Sequence, residues 1–379
     1  MHDTVISGSG LYRPPHRISN EELVQAFNAY VERFNTGHAA EIAAGSVVAL
    51  TPSSVEFIEK ASGIRNRYVM DKSGVLDPAR MYPRIPARPD EQWSVMAEMA
   101  GVAARDACAQ ARIEPARIDA VYCASANMQR PYPAMACEIQ ALLGAQGYGF
   151  DMNVACSSAT FGIEQAVNAV RCGSARCALV VSPEITSAHL EWRDRDCHFI
   201  FGDTCTAVLV QRADEVPAGQ GWAVLGTRLL TQYSNHIRNN FGFMNRCEDS
   251  NWQERDKTFR QEGRKVFKEV VPMAAAHIES HLADLGLQPA VVRRFWLHQA
   301  NLGMNQLVMR KLVGAEAGSD VAPIILDEWA NTASAGSIIA FHEHNADFRP
   351  GELGVICSFG AGYSIGSVVL KRRGQVFNL

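Results

Sequence analysis

The feature that most constrains the fold is a turn-and-strand pattern that occurs twice. "FGDTCTAVLVQR" (201–212) and "FGAGYSIGSVVLKR" (359–372) each run from Phe-Gly through a small polar turn into an apolar strand, and each closes one half of the chain. The strand-to-helix joint at 150–170 likewise has a counterpart near 327–345. Between these points short apolar runs alternate with longer stretches of helical spacing. The pattern predicts strands over 4–12, 118–125, 149–155, 177–184 and 206–211, then over 222–230, 292–299, 351–360 and 364–372. It predicts helices over 94–112, 133–144, 157–172, 257–286, 301–313 and 333–346. Such alternation implies an α/β protein with a mostly parallel central sheet, and the repeat implies two similar fused halves. A length of 379 residues suits two units of this size. The polar stretch "ADEVPAGQG" (213–221) marks their boundary, giving halves 1–215 and 216–379.

Two segments interrupt the pattern. Residues 19–62 read as a helical insertion. Ser19 and Glu22 have capping-box spacing, and Leu23, Phe27, Tyr30, Val31 and Phe34 form one apolar stripe. Ser53 and Glu56 repeat the cap signal before a second helix. The stripe either covers core or walls an apolar ligand. Residues 71–92, rich in Pro and Arg, read as a long loop. A net charge of −4 gives no electrostatic case for nucleic acid or an anionic membrane surface. The first residues lack the basic and apolar regions of a signal peptide. No run reaches the ~18 apolar residues of a membrane span, so no membrane insertion is expected. Ten cysteines without a CxxC pair read as reduced, mostly structural thiols of a cytoplasmic protein.

One cysteine stands apart. Cys156 joins a strand, "FDMNVA", to a helix, "SSATFGIEQAVNAVRCG". A helix N-terminus presents unpaired N–H groups and the positive end of the dipole, which favours thiolate over thiol. A buried Cys under a turn is the bland alternative. His298, in "RFWLHQANLGMNQ", ends a strand and precedes a helix, the side of an α/β sheet where ligands bind; the alternative is a hydrogen-bonded core His. Asn331, in "DEWANTASAGSI", opens another helix and by position alone reads as an N-cap. Together the three make chemical sense. A thiolate accepts an acyl group as a thioester. A His and an Asn donate hydrogen bonds to a second thioester's carbonyl, stabilising the enolate left when a malonyl group loses CO₂.

"DMNVACSSATFG", "WLHQANLGMNQ", "EWANTASAGSI" and "SFGAGYSIGSVVL", in this order, resemble the β-ketoacyl-acyl-carrier-protein synthase III family. The likeness covers most of the chain except 24–53 and 71–92. It implies the thiolase fold, two similar halves in five α/β/α/β/α layers, and a homodimer. It implies Cys156 as the acylated nucleophile and His298 and Asn331 as the pair that promotes decarboxylation. It implies an oxyanion hole from the backbone N–H groups of Cys156 and Ala361, where the family usually has Gly in place of Ala361. The substrates implied are acyl-CoA and malonyl-acyl carrier protein, with no cofactor and no metal.

The departures from the family pattern are specific. The Trp and Arg that commonly clamp the CoA adenine correspond here to Phe57 and Ala61. Arg65 lies in a segment, "SGIRNRYVM", that resembles the family's. Asn301 stands in the HQAN motif, and Gly303 replaces an Arg used near the phosphopantetheine. Arg310 and Lys311 match a basic pair, so a carrier-protein docking patch is expected. These changes and the apolar stripe point to a primer longer than acetyl, as in the β-ketodecanoyl synthase branch, which extends an eight-carbon acyl-CoA. The alternatives are non-decarboxylative or head-to-head acyl-CoA condensation, which needs a base, and polyketide or signal-molecule synthesis. His277 and His281 read as an exposed helix face, and His342 and His344 as non-ligands. Asp203 reads as a turn residue, and Glu184 as a structurally paired acid near the site.

Overall fold

The computed structural model describes residues 1–249, 251, 254–314 and 318–374, so the last five residues of the expected second half lie outside it. Its main sheet has nine strands: β1 (Thr4–Tyr12), β2 (Ala120–Ala124), β3 (Tyr148–Met152), β4 (Cys177–Glu184), β5 (Thr204–Arg212), β6 (Trp222–Ser234), β7 (Val292–Leu297), β8 (Leu353–Gly360) and β9 (Gly362–Arg372). Their order is β7-β8-β9-β6-β1-β5-β4-β2-β3. The seam is the β1–β6 pair, which meets only at Val5↔Ala223 and Ile6↔Trp222. Outward from it, β1-β5-β4-β2-β3 on one side mirrors β6-β9-β8-β7 on the other.

The expectation of a mostly parallel sheet is corrected. Only β7–β8, β2–β3 and β2–β4 are parallel; the other five neighbour pairs are antiparallel. The reason lies in the connections. A parallel pair needs a crossover, whereas β8 enters β9 through the single residue Ala361, and β4 reaches β5 through a loop with no long helix.

Three apolar clusters give the layers. Helices α5 (Ser158–Cys172) and α8 (Gly336–Glu343) pack in the middle, touching strands from both sides of the seam. Helices α3 (Val95–Ala111) and α4 (Met135–Leu143) cover one outer face. Helices α6 (Gly263–Asp284) and α7 (Leu302–Val313) cover the other. The strand period of two sorts the side chains: Ala120, Tyr122 and Ala124 face the middle layer, while Val121 and Cys123 face α3 and α4. In β1, "SGSG" permits close helix approach, since a Cβ on Gly8 or Gly10 would strike the Ala107 or Ala103 carbonyl of α3.

The insertion forms α1 (Asn20–Gly37) and α2 (Val55–Ser62) around a short Ala39–Ala43 helix. The Ser19–Glu22 capping box is present. The second cap is Ser54, not Ser53: Ser54 Oγ accepts from Phe57 N, while the Ser53 backbone is held by Asn28. The stripe is one layer removed from any ligand space. Leu23, Phe27 and Val31 are buried against Leu190, Trp192 and Phe199, so they brace a loop rather than wall a cavity. His277 and His281 are not exposed. Both are buried in α6 and share Ser367 Oγ at 2.9 and 2.7 Å; burial pulls each imidazole down to about 4. Asp203 lies in the connection just before β5, as a turn residue would, but away from solvent. It is fully buried and accepts from Met70 N, Ser187 N and Ser187 Oγ.

Candidate active site

Cys156 sits in a 3₁₀ turn, Ala155–Ser157, that leads directly into α5. Local side chains build the turn. Asn153 Oδ1 accepts from Ala155 N (2.9 Å), and Ser158 Oγ accepts from Val154 N and donates to the Ala155 carbonyl (both 2.8 Å). Ser157 Oγ ties it to the Ser364 carbonyl of β9 at 3.0 Å. Ala155 is held at φ 46°, a left-handed conformation costly for alanine. The Cys156 thiol faces the N–H groups of Ala361 and of Cys156 itself. Gly360 is required beside it, because a Cβ there would lie 2.6 Å from Cys156 Cβ and 3.0 Å from Sγ.

The electrostatics correct the expectation of a resting thiolate. Burial, reinforced by the Glu184 charge, pushes the thiol up to about 12, and the two backbone N–H groups only partly oppose it. The side chain is ringed by protein, although the cavity keeps part of it accessible. Burial thus favours the neutral thiol over the thiolate.

His298 follows the last residue of β7, its own N–H bonded to the Cys357 carbonyl at 2.8 Å. Its ring stands edge-on to Phe359, with centroids 5.4 Å apart. Burial pulls the imidazole down to about 4, so it is neutral at physiological pH. Its Nδ1 has no partner among the described residues. Asn331 is not the N-cap expected from its position: Thr332 and Ala335 precede the 3₁₀ turn and α8. Asn331 Oδ1 accepts from Ala333 N at 2.9 Å, which fixes the amide so that the NH₂ end is left as a donor.

Cys156, His298 and Asn331 line one cavity of about 450 Å³. Its walls are mainly apolar, with Phe199, Phe201, Phe259, Phe267, Val270 and Met304 among them. A larger cleft of about 680 Å³ at the β1–β6 seam holds none of the three, and its Arg373 is spent on four backbone carbonyls.

The other expected site residues divide. Asn301 lines the cavity, but its amide is consumed: Oδ1 caps α7 at Gly303 N and Met304 N, and Nδ2 donates to the Ala61 carbonyl. Phe57 stands outside the lining, edge-on to Phe199. Arg65 is exposed and pairs with Glu59 at 3.9 Å, while Arg67 of the same motif is wholly buried on the Ile18 and Phe199 carbonyls and Asn20. Arg310 and Lys311 are exposed in the last turn of α7. Arg195, which no motif in the sequence marks, stands beside Phe57. The Arg195 guanidinium lies 3.9 Å from the centroid of the Phe57 ring. Its only sequence signal was a loop arginine in "RDRD". Glu184 is buried, accepting from Ala126 N (3.0 Å), Ser334 N (3.3 Å) and Ser334 Oγ, and burial pushes its carboxyl up to about 7.

Residues 150–231 match the 3-oxoacyl-[acyl-carrier-protein] synthase III family, and residues 282–372 match the C-terminal part of that family. A β-ketodecanoyl-[acyl-carrier-protein] synthase of Pseudomonas aeruginosa is 57% identical over 350 residues, covering 92% of this chain and 100% of that protein. A β-ketoacyl-[acyl-carrier-protein] synthase III of Bordetella petrii is 29% identical over 378 residues, 98% of each chain. The solved structure of 3-oxoacyl-[acyl-carrier-protein] synthase III from Aquifex aeolicus has a TM-score of 0.76 at 24% identity, covering 97% of this chain and 99% of its own, and supports the fold. The protein is a thiolase-fold condensing enzyme that transfers acyl groups. The chain belongs to the β-ketoacyl-[acyl-carrier-protein] synthase III family.

Proposed function

We propose that the protein condenses an acyl-CoA primer of medium chain length, octanoyl above all, with malonyl-acyl carrier protein, giving β-ketoacyl-acyl carrier protein, coenzyme A and CO₂. The observation that carries this reading is the orientation of Asn331. With Oδ1 locked on Ala333 N, only N–H donors remain for the cavity it shares with neutral His298 and the Cys156 thiol.

In the first step Cys156 Sγ attacks the primer's thioester carbonyl. The oxyanion takes the N–H groups of Cys156 and Ala361, the C–S bond to coenzyme A breaks, and the thiol proton leaves with the coenzyme A sulfur. In the second, the malonyl thioester places its carbonyl oxygen on the His298 and Asn331 donors. Its carboxylate departs as CO₂, and the electron pair is held as an enolate. In the third, the enolate carbon attacks the acyl-cysteine, a C–C bond forms, and the expelled Cys156 thiolate is reprotonated. Decarboxylation supplies the carbanion, so no base is needed to form it. A non-decarboxylative reaction would need one, and the only acid on the cavity wall among the described residues is Asp196.

Primer length rests on chemistry. Each condensation adds two carbons, so the 57%-identical relative, named for a ten-carbon product, implies an eight-carbon primer. Each CH₂ buried on the apolar wall contributes about 0.8 kcal/mol. A panel of primers from two to twelve carbons, assayed with malonyl-acyl carrier protein, tests this. A maximum near eight carbons is expected, and a clear preference for acetyl-CoA overturns it. Phe57 and Arg195 form the proposed adenine platform. Asn301, at the start of α7, lies on the cavity wall, and Arg310 stands ~13 Å further along the helix at 1.5 Å per residue, a span suited to a carrier protein docked outside while its arm reaches in. The homodimer is proposed on β3, the edge strand whose outer side has no partner among the described residues and which exposes Tyr148 and Phe150; sizing by light scattering checks it.

A further inference from the structure

We propose that the Arg264 guanidinium is a phosphate-binding group at the mouth of the cavity, taking the phosphate that ends the pantetheine arm of the thioester. This rests on the condensing reaction proposed above and names a substrate contact for it. Among the described residues lining the cavity, Arg264 is the one cation. It makes no hydrogen bond or ion pair with any described residue, whereas its neighbour Lys265 is paired with Glu262. An arginine on a mainly apolar wall with no partner among the described residues leaves its donors open to a bound anion.

The cavity has a buried end and an open end. His298 and Asn331 are 2% and 6% exposed at one, while Gln261, Gly263 and Arg264 are exposed at the other. A thioester whose carbonyl reaches the buried end must carry its pantetheine arm out past Arg264. The opposite lip is low. Gly303 of α7 faces Phe267, one turn beyond Arg264 on α6, and a Cβ there would lie 3.8 Å from the Phe267 ring. No side chain at 303 therefore competes for the space or neutralises the guanidinium. Coenzyme A and acyl carrier protein share the phosphate at this point in the arm, so Arg264 would serve both half-reactions. Guanidinium suits a phosphate because its donors are planar and paired.

The test compares donors with and without the phosphate. Acylation of Cys156 by octanoyl-CoA and by octanoyl-N-acetylcysteamine, which has no phosphate, is followed by intact mass in the wild type, Arg264→Ala, Arg264→Lys and the control Lys265→Ala. Arg264→Ala is expected to lose about 10- to 100-fold in kcat/KM with octanoyl-CoA, the scale of one hydrogen bond to a charged group, and nothing with the N-acetylcysteamine thioester. Arg264→Lys recovers part of the loss, and Lys265→Ala matches the wild type. An equal fall with both donors, or no fall, overturns the proposal. Calorimetric binding of free coenzyme A is measured in parallel and needs no acyl transfer. Weaker binding by Arg264→Ala supports the phosphate contact even if the condensing reaction itself were refuted, and unchanged binding refutes the contact. With the enzyme already acylated, the KM for malonyl-acyl carrier protein is expected to rise to a like degree in Arg264→Ala, and an unchanged KM overturns the claim that the contact serves the carrier's phosphate.

Discussion

Two turns in this molecule are built alike and used differently. Ala155–Ser157 and Ala333–Ala335 are both 3₁₀ turns that run straight into a central helix, α5 and α8. Each begins with an alanine in the left-handed region, φ 46° and 48°. The middle residue is Cys156 in one and Ser334 in the other. Cys156 faces the cavity and two backbone N–H groups. Ser334 is fully buried and gives its hydroxyl to Glu184. The same backbone thus supplies the proposed nucleophile on one side of the seam and an anchor on the other, where the neighbouring Ala333 N–H sets the Asn331 amide. Backbone geometry alone does not make a site; exposure to the cavity and the identity of one side chain do.

The comparison breaks first at Cys156. Cys156→Ala is expected to abolish acylation by octanoyl-CoA. Adding Ser334→Cys to that variant should not restore it, because the new thiol would point at Glu184; intact mass reads both. A mass gain on the peptide that carries the Ser334→Cys change would mean that the two turns are interchangeable. Next in size, Asn331→Ala and His298→Ala should leave acylation largely intact and slow CO₂ release by about 10²- to 10³-fold, the usual scale for one lost oxyanion donor. Because burial holds His298 at about 4, CO₂ release in the wild type should show no inflection from this imidazole above pH 5.

Ser334→Ala sharpens the structural side. It removes a hydrogen bond from a buried carboxylate whose second oxygen already lacks a partner among the described residues, costing ~1–3 kcal/mol in urea denaturation. The smallest effect is electrostatic. Glu184 ionises near pH 7 and its charge raises the Cys156 thiol, so it holds the thiol proton on above that pH and not below. Glu184→Gln should therefore speed iodoacetamide alkylation of Cys156 a few-fold above pH 7 and leave it unchanged at pH 5.5. Slower alkylation above pH 7 would reverse the assigned sign.

What sequence could and could not tell follows from the same contrast. Strand and helix positions were legible because apolar periodicity records which face is buried, and Cys156, His298 and Asn331, which the structure brings to one cavity, could be picked out because each sits where an element ends. Strand direction was not legible, since it depends on whether a connection crosses over or turns back. His277 and His281 read as a wet face because a pair of imidazoles looks polar, yet Ser367 satisfies both in the interior. The Cys156 thiol read as acidic from its helix alone, although burial and Glu184, brought in from the end of β4, outweigh the helix. Arg195 was missed because its partner Phe57 is distant in sequence.

The most direct test of the central claim is a two-stage experiment on the wild-type protein. Octanoyl-CoA is added first and the mass of the Cys156 peptide is measured; malonyl-acyl carrier protein follows, and CO₂ and product are quantified. The account predicts one octanoyl group on Cys156, then its disappearance with one CO₂ and one β-ketodecanoyl-acyl carrier protein per site. A stable acyl-enzyme that releases no CO₂ when the malonyl donor arrives would contradict it.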